Sequence, residues 1–166
     1  MGVILDSQLR TELRPGDPGD IASLHGREYA EEYGLDTTFE ADVGRGVAEL
    51  VLALASDPEA GRAWLVDDEH GLAGCIAITR EAPWHARLRW FLVARRARGA
   101  GLGGRLLDAG LAYARERFST IELATFSELT AAARLYRAAG FELRDSARVT
   151  LWGREIELQH YELRLR

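Results

Sequence analysis

Gly99, Gly101, Gly103 and Gly104 crowd into six residues between an apolar run, Arg87-Leu-Arg-Trp-Phe-Leu-Val93, and the segment Arg105-Leu-Leu-Asp-Ala-Gly-Leu-Ala-Tyr-Ala-Arg115. Leu102, Leu106, Leu107, Gly110 and Tyr113 recur along that segment at helical spacing, so the stretch reads as strand, glycine loop, helix. Glycines let a backbone approach a ligand closely and take dihedrals other residues avoid. No Ser, Thr, Asp or Asn stands at the N-cap of the helix. Its first N–H groups therefore lack side-chain acceptors, and the positive end of its dipole lies at the same place. An anion, most simply a phosphate, satisfies both; a glycine turn capped by water is the plainer alternative. The Gly-Lys-Ser/Thr ending of a nucleotide-hydrolysing P-loop is missing. A dinucleotide fingerprint belongs to the first strand–helix unit of a parallel sheet, with an acidic residue ~20 positions on. The loop lies past the middle of the chain, yet Glu122 falls at about that distance, so this alternative stays open.

Length and composition bound the rest. A chain of 166 residues fits a single domain, 1–166, with a substantial core. Hydrophobic content of 47% with 28% charged residues is that of an ordinary globular protein. A net charge of −5 gives no general attraction to nucleic acid or to an anionic membrane. Cys75 is the only cysteine, which excludes a disulfide framework and a thiolate metal cluster; in Leu72-Ala-Gly-Cys75-Ile-Ala-Ile78 it reads as a small core residue. The N-terminus lacks a basic-then-apolar signal, and no run approaches the ~20 apolar residues of a membrane span, so the cytoplasm is the expected compartment.

The elements that must carry the loop follow from periodicity and punctuation. Residues 8 to 14 predict a first strand, ended by Arg14-Pro-Gly-Asp-Pro-Gly19. Asp17 is placed to cap a helix with Pro18 at its first position, running through Ile21, Leu24, His25, Tyr29 and Glu32 to a stop at Gly34. Thr37 or Thr38 is placed to cap a second helix with the stripe Val43, Val47, Leu50, Val51 and Leu54, broken at Asp57-Pro-Glu-Ala-Gly61. Ala63 to Val66 and Leu72 to Thr79 read as a hairpin. Beyond the glycine-loop helix come a strand at Thr120 to Phe126 and a helix from about Glu128 to Ala139. Ser127 is its expected N-cap and Gly140-Phe141 its C-cap. Phe141 to Leu151, Trp152-Gly153 and Glu155 to Leu165 close the chain as a hairpin. The predicted class is α/β (α+β), order βααββ-βα-βα-ββ, with a mixed sheet of about six to seven strands and four flanking helices.

Arg98-Gly-Ala-Gly101-Leu-Gly103, after an apolar strand, resembles the pyrophosphate loop of the GNAT superfamily of acyl-CoA-dependent N-acetyltransferases, Arg/Gln-x-x-Gly-x-Gly/Ala. Arg96 to Gly101 fits the same pattern; the register from Arg98 leaves the usual four-residue turn after Val93. A second stretch, Ala133-Arg-Leu-Tyr136-Arg-Ala-Ala-Gly140-Phe141, resembles the family's late helix and its Gly-Phe exit. The resemblance spans essentially the whole chain. It is closest to the acetyltransferase half of bacterial proteins that carry such a domain behind a MarR-type DNA-binding domain, on Tyr29-Ala-Glu-Glu-Tyr33-Gly34 and Phe39-Glu40. With no DNA-binding domain preceding it in this sequence, a free-standing enzyme is expected.

The resemblance implies acetyl-CoA as cofactor. Phe91, Leu92 and Val93 would present free backbone groups to the pantetheine arm, and an N–H at or near Leu92 or Val93 would polarise the acyl carbonyl. Arg98, Gly99, Ala100, Gly101, Leu102, Gly103 and Gly104 would hold the pyrophosphate. Tyr136 is the implied general acid for the departing thiolate, since a phenol of pKa ≈ 10 keeps its proton at neutral pH. Glu122 is the candidate base, with His25 or a water chain as alternatives. Tyr29, Tyr33 and Trp152, with Glu32 and Glu40, lie on segments that would face the acceptor; acidic and aromatic groups suit a cationic amine. Arg87 and Arg89 would equally suit an acceptor with a carboxylate. The leading reading is acetyl transfer to a small-molecule or peptide amine, and a homodimer is an expected assembly. A longer acyl donor or O-acceptor, and a non-catalytic acyl-CoA sensor, remain as alternatives.

Overall fold

The structure, a computed structural model, describes residues 8–166. Helix α1 (Asp17–Tyr33) begins with Pro18 in its first turn, which costs nothing where the N–H would be unpaired anyway. It ends at Gly34 in the left-handed region, φ 70°, whose N–H donates to Ala30 O at 3.0 Å. Helix α2 (Thr37–Ser56) buries Phe39, Val43, Val47 and Leu50, one face at a spacing of three to four.

Strands β1 (Gly61–Asp68) and β2 (Gly71–Ala82) form a hairpin, and β3 (His85–Val93) pairs antiparallel with β2. A 3₁₀ turn at Arg95–Ala97 leads into helix α3 (Leu102–Arg117). Strand β4 (Thr120–Phe126), helix α4 (Thr130–Ala138) and the hairpin of β5 (Glu142–Leu151) and β6 (Arg154–Arg164) complete the chain. The described strands form one mixed sheet, order β1-β2-β3-β4-β6-β5, with β3 and β4 its parallel pair.

Strand alternation divides the core into two layers. Trp64, Val66, Ile76 and Ile78 join the cluster of Leu102, Leu106 and Leu111 on α3, with Tyr136 of α4. Leu65, Cys75 and Ala77, on the opposite pleats, join the cluster of Ile21, Tyr29, Phe39 and Val47 from α1 and α2. Because β2 is covered on both faces, it reads in sequence as a near-continuous apolar run.

Four sequence expectations change. Residues 8 to 14 make a single antiparallel bridge, Arg10 to Leu65, instead of a strand. The Arg10 guanidinium is drawn to Asp17 at 2.7 Å and to Asp67 at 2.6 Å, and Pro15-Gly16 turns the chain away at once. Asp17 lies inside the helix with its carboxylate on Arg10 and on Arg14 N, and Gly16 takes the cap position. Asp36 caps α2 in place of Thr37 or Thr38, accepting from Thr38 N at 2.9 Å. Helix α4 starts at Thr130 after Leu129, and Ser127 instead donates its N–H to Glu157 O of β6.

Candidate active site

The site lies where β3 and β4 part. Their ladder covers only His85↔Thr120, Ala86↔Ile121 and Arg87↔Glu122, so from Leu88 onward the β4-facing edge of β3 has no strand beside it. On its other edge, Ala77 faces Arg89 and Cys75 faces Leu92, which leaves one extra residue in β3. Trp90 absorbs the bulge with φ 48°, a left-handed backbone that a bulky residue rarely takes. The Cys75 thiol donates to Trp90 O at 3.2 Å; burial raises its pKa to about 12, so it stays a thiol.

Two cavities meet across the bulged strand. The first, about 360 Å³, is lined by Leu92, Val93, Arg98, Gly99, Gly101, Leu102, Gly103 and Gly104, with Tyr33 and Thr130 to Ala132 opposite. Gly99 at φ 84° and Gly101 at φ 78° need the left-handed region, and a Cβ on Gly99, Gly101 or Gly104 would meet nothing within 4 Å. Helix α3 starts at Gly101 with no side-chain cap. An open cradle of glycine backbone at an uncapped helix start is suited to a phosphate-bearing ligand. Side chains of the loop brace it against neighbouring segments. Arg98 grips Glu32 of α1 through bonds of 2.9 and 2.6 Å and donates to Val93 O at 3.0 Å; Arg95 pairs with Glu28 and Glu31. Arg96 is held by Asp68 at 2.9 Å and Leu72 O at 2.9 Å, away from the loop.

The second cavity, about 270 Å³, lies among α1, α2, β3, β4 and the closing hairpin, and Tyr29, Phe91, Leu129 and Ala132 line both. Its walls are rich in aromatic rings: Tyr29 stacks on Phe39 with centroids 4.8 Å apart, and Phe39 meets Trp152 edge-on at 5.0 Å. The Trp152 indole donates to Asp42 at 2.8 Å, fixing the hairpin tip on α2. Tyr136 also lines this cavity, 4% exposed, its ring 5.9 Å from Phe91, and its hydroxyl has no hydrogen-bond partner among the described residues. Burial, with a lesser contribution from Tyr29, pushes that phenol well above its ordinary pKa, so the proton stays on Oη.

The sequence itself decides the family. Residues 23–141 match the acetyltransferase (GNAT) family. The chain belongs to that family. No protein of curated description matches the sequence significantly. Among solved structures, an N-acetyltransferase from Staphylococcus aureus Mu50 superposes with a TM-score of 0.76 at 14% identity, covering 97% of this chain and 99% of that one. Spermidine N-acetyltransferase from Vibrio cholerae, in complex with CoA and spermine, gives 0.70 at 21% identity over 95% of each chain. The Salmonella typhimurium protein yncA, with its cofactor acetyl-CoA, gives 0.73 at 17% identity over 96% of this chain and 94% of that one. These likenesses are of fold.

Most of the residues singled out in this GNAT chain converge on the parted strands. Phe91, Leu92, Val93, Arg98, Gly99, Gly101, Leu102, Gly103 and Gly104 line the first cavity; Ala100 lies outside its lining. Tyr136, Tyr29 and Trp152 line the second, whereas Tyr33 faces only the first. Glu122 lines neither. Its carboxylate is bound by Arg87 and lies 3.1 Å from His85 Nε2. Partial burial acts to raise its pKa, but Arg87 and then His85 outweigh that and hold it below the usual carboxylate range. Such a group supports Arg87, which lines the second cavity, and is a poor proton acceptor. Glu32 is committed to Arg98, and Glu40 lines neither cavity.

Sequence reasoning passed over Thr125 and Asp42, and it weighed His25 only as a base. All three line the second cavity. His25 is 2% exposed and its Nδ1 lies 2.8 Å from Ile21 O; a carbonyl only accepts, so Nδ1 bears the proton and Nε2 a bare lone pair. Burial lowers its pKa to about 4, keeping the ring neutral. The i, i+4 step from Ile21 to His25 was the available signal.

Proposed function

We propose that this GNAT enzyme transfers an acetyl group from acetyl-CoA to the amine of a small molecule or peptide, with the cofactor in the first cavity and the amine in the second. The parting of β3 from β4 carries the reading, because it joins a phosphate cradle to an aromatic cavity through one gap. When bound, acetyl-CoA supplies an activated thioester acyl group. Gly99 to Gly104 and the start of α3 would hold its pyrophosphate, and the free edge of β3 its pantetheine arm. Backbone N–H groups at Leu92 or Val93 would donate to the developing oxyanion. Tyr136 holds a proton on Oη beside Phe91 and is the group that would protonate the departing thiolate. The amine must be neutral to attack; no unpaired carboxylate lines the second cavity among the described residues, so water carries its proton away. Kinship with the acetyltransferase half of MarR-type fusions rests on Tyr29 to Gly34 and Phe39-Glu40, whose Tyr29 and Phe39 form the stacked wall.

The test is calorimetric titration with acetyl-CoA, then release of free CoA thiol across amines, polyamines, amino acids and short peptides. Binding with turnover on one class supports the proposal. Binding without turnover favours a sensor, and absence of binding removes the cofactor assignment.

A further inference from the structure

The second cavity has a distinctive charge pattern. Three ionised side chains line it: Asp42, Arg87 and Arg89. Asp42 is taken by Arg45 at 2.6 Å and by the Trp152 indole, and Arg87 by Glu122. Arg89 has no carboxylate partner among the described residues; its guanidinium lies over the Trp90 ring, 5.4 Å from the centroid. Once the paired charges cancel, the cavity keeps one uncompensated positive charge. A polyamine would bring more positive charge to it and find no free carboxylate.

Two orphaned polar atoms share the cavity. His25 Nε2 and Thr125 Oγ1 are fully buried without a hydrogen-bond partner among the described residues, on side chains from residues 2% and 7% exposed. Buried polar atoms are paired in native proteins in the great majority of cases, so two orphans in one cavity wall call for a partner, which a water or a bound molecule can supply. His25 Nε2 is an acceptor only, and so calls for an N–H or O–H donor. The same cavity has apolar lining as well, from Phe39, Val43, Phe91, Phe126 and Leu158.

We infer that the acceptor is an amino acid or close analogue with an apolar or aromatic side chain, its carboxylate on Arg89 and its N–H groups toward His25 and Thr125. The inference rests on the acetyl-transfer reading and narrows its substrate class. At about 270 Å³ the cavity is just below the usual range of small-molecule sites, which suits an acceptor as small as one amino acid. Planar guanidinium and planar carboxylate match in two parallel bonds, a geometry that an amide or a bare amine does not offer.

The experiment compares L-phenylalanine and L-methionine with their carboxamides, with phenethylamine and with spermidine. Thiol release is measured on the wild type, Arg89→Gln and Arg89→Lys, and calorimetry follows each amino acid onto the CoA-loaded enzyme. The expected result is kcat/KM for the acids roughly 10–100-fold above the carboxamides, the scale of a lost charge-assisted pair. In R89Q the gap closes through KM, R89K restores part of it, and acetyl-CoA affinity stays at the wild-type value, showing that the fold and first cavity persist. Preference for the carboxamides or spermidine overturns the inference, as does a gap that survives in R89Q, or no binding or turnover of either acid, while leaving acetyl transfer standing. Failure to bind acetyl-CoA overturns the underlying reading and the inference with it.

Discussion

Along β3 and the turn after it, the first cavity offers exposed backbone among its apolar side chains: four glycines, a helix start without a cap, and a strand edge without a neighbour. The second is walled by side chains from α1, α2, β3, β4, α4 and the closing hairpin, segments far apart in the chain, as where Trp152 meets Asp42 across 110 residues. Backbone recognition suits a ligand common to a whole family, since peptide N–H groups are the same in every member. Side-chain recognition changes with each substitution, and it is where specificity resides.

The contrast breaks most sharply at Gly101. A side chain at φ 78° incurs about 1–2 kcal/mol of left-handed strain. A carboxylate there would also face the cofactor's phosphates. Gly101→Glu is expected to weaken acetyl-CoA binding roughly 100-fold or more by calorimetry; near-native affinity would remove the loop from the cofactor site. Tyr136→Phe should lower kcat by about 10²–10³-fold with acetyl-CoA affinity unchanged, the scale of a lost general acid. A full-rate Y136F enzyme would leave Tyr136 as part of the wall only.

Gly46→Ala sharpens the second half. A Cβ there would stand 2.8 Å from Trp90 Cζ2 and 3.7 Å from Arg89 Nη1, so the stiff indole must move. Overpacking of about 1–3 kcal/mol should raise the acceptor KM roughly tenfold and leave acetyl-CoA binding alone; equal change in both would mean that the cavities are not separable. The smallest effect is expected at Glu122→Gln. Glu122 has its pKa depressed in the folded state. Its stabilisation is therefore complete above the unfolded carboxyl pKa of about 4.3 and is lost as pH falls through the lower folded value. Chemical denaturation between pH 5 and pH 3 should show the wild type losing more stability than E122Q, while kcat at neutral pH changes little. A large loss of kcat would restore Glu122 as the base.

Legibility in the sequence followed the same division. Gly99, Gly101, Gly103 and Gly104 announce their loop because spacing alone specifies it, and β4 was read to the residue, Thr120 to Phe126. The bounds of helices α1 and α2 and the stops at Gly34 and Asp57 follow from the sequence, whereas the N-caps differ. Asp17 was drawn off by Arg10, a partner seven residues away that no local rule supplies, and Asp36 took the place of the threonines after it. Tyr33 lines only the first cavity and Glu122 neither, since helical and strand phase do not say which cavity a face will meet. The Arg89–Trp90 pair sits on a bulge set by register against β2, which exists only once the sheet forms.

The Trp152-Gly153 turn, whose two residues have φ 54° and 84°, accepts the Asp36 N–H at Trp152 O, 2.9 Å away, and anchors Asp42 by donating its indole N–H. In biosynthetic order this turn comes late. At translation rates of ~5–20 residues per second, Trp152 emerges about 5–20 s after Asp42, 110 positions earlier. The glycine cradle and its helix are already made by then, whereas Phe39 and Tyr29 still lack the indole that covers them. The hairpin residues Trp152 and Leu158 are thus the last part of either cavity's lining to be synthesised, and the acceptor side is completed after every residue of the cofactor side is already in the chain.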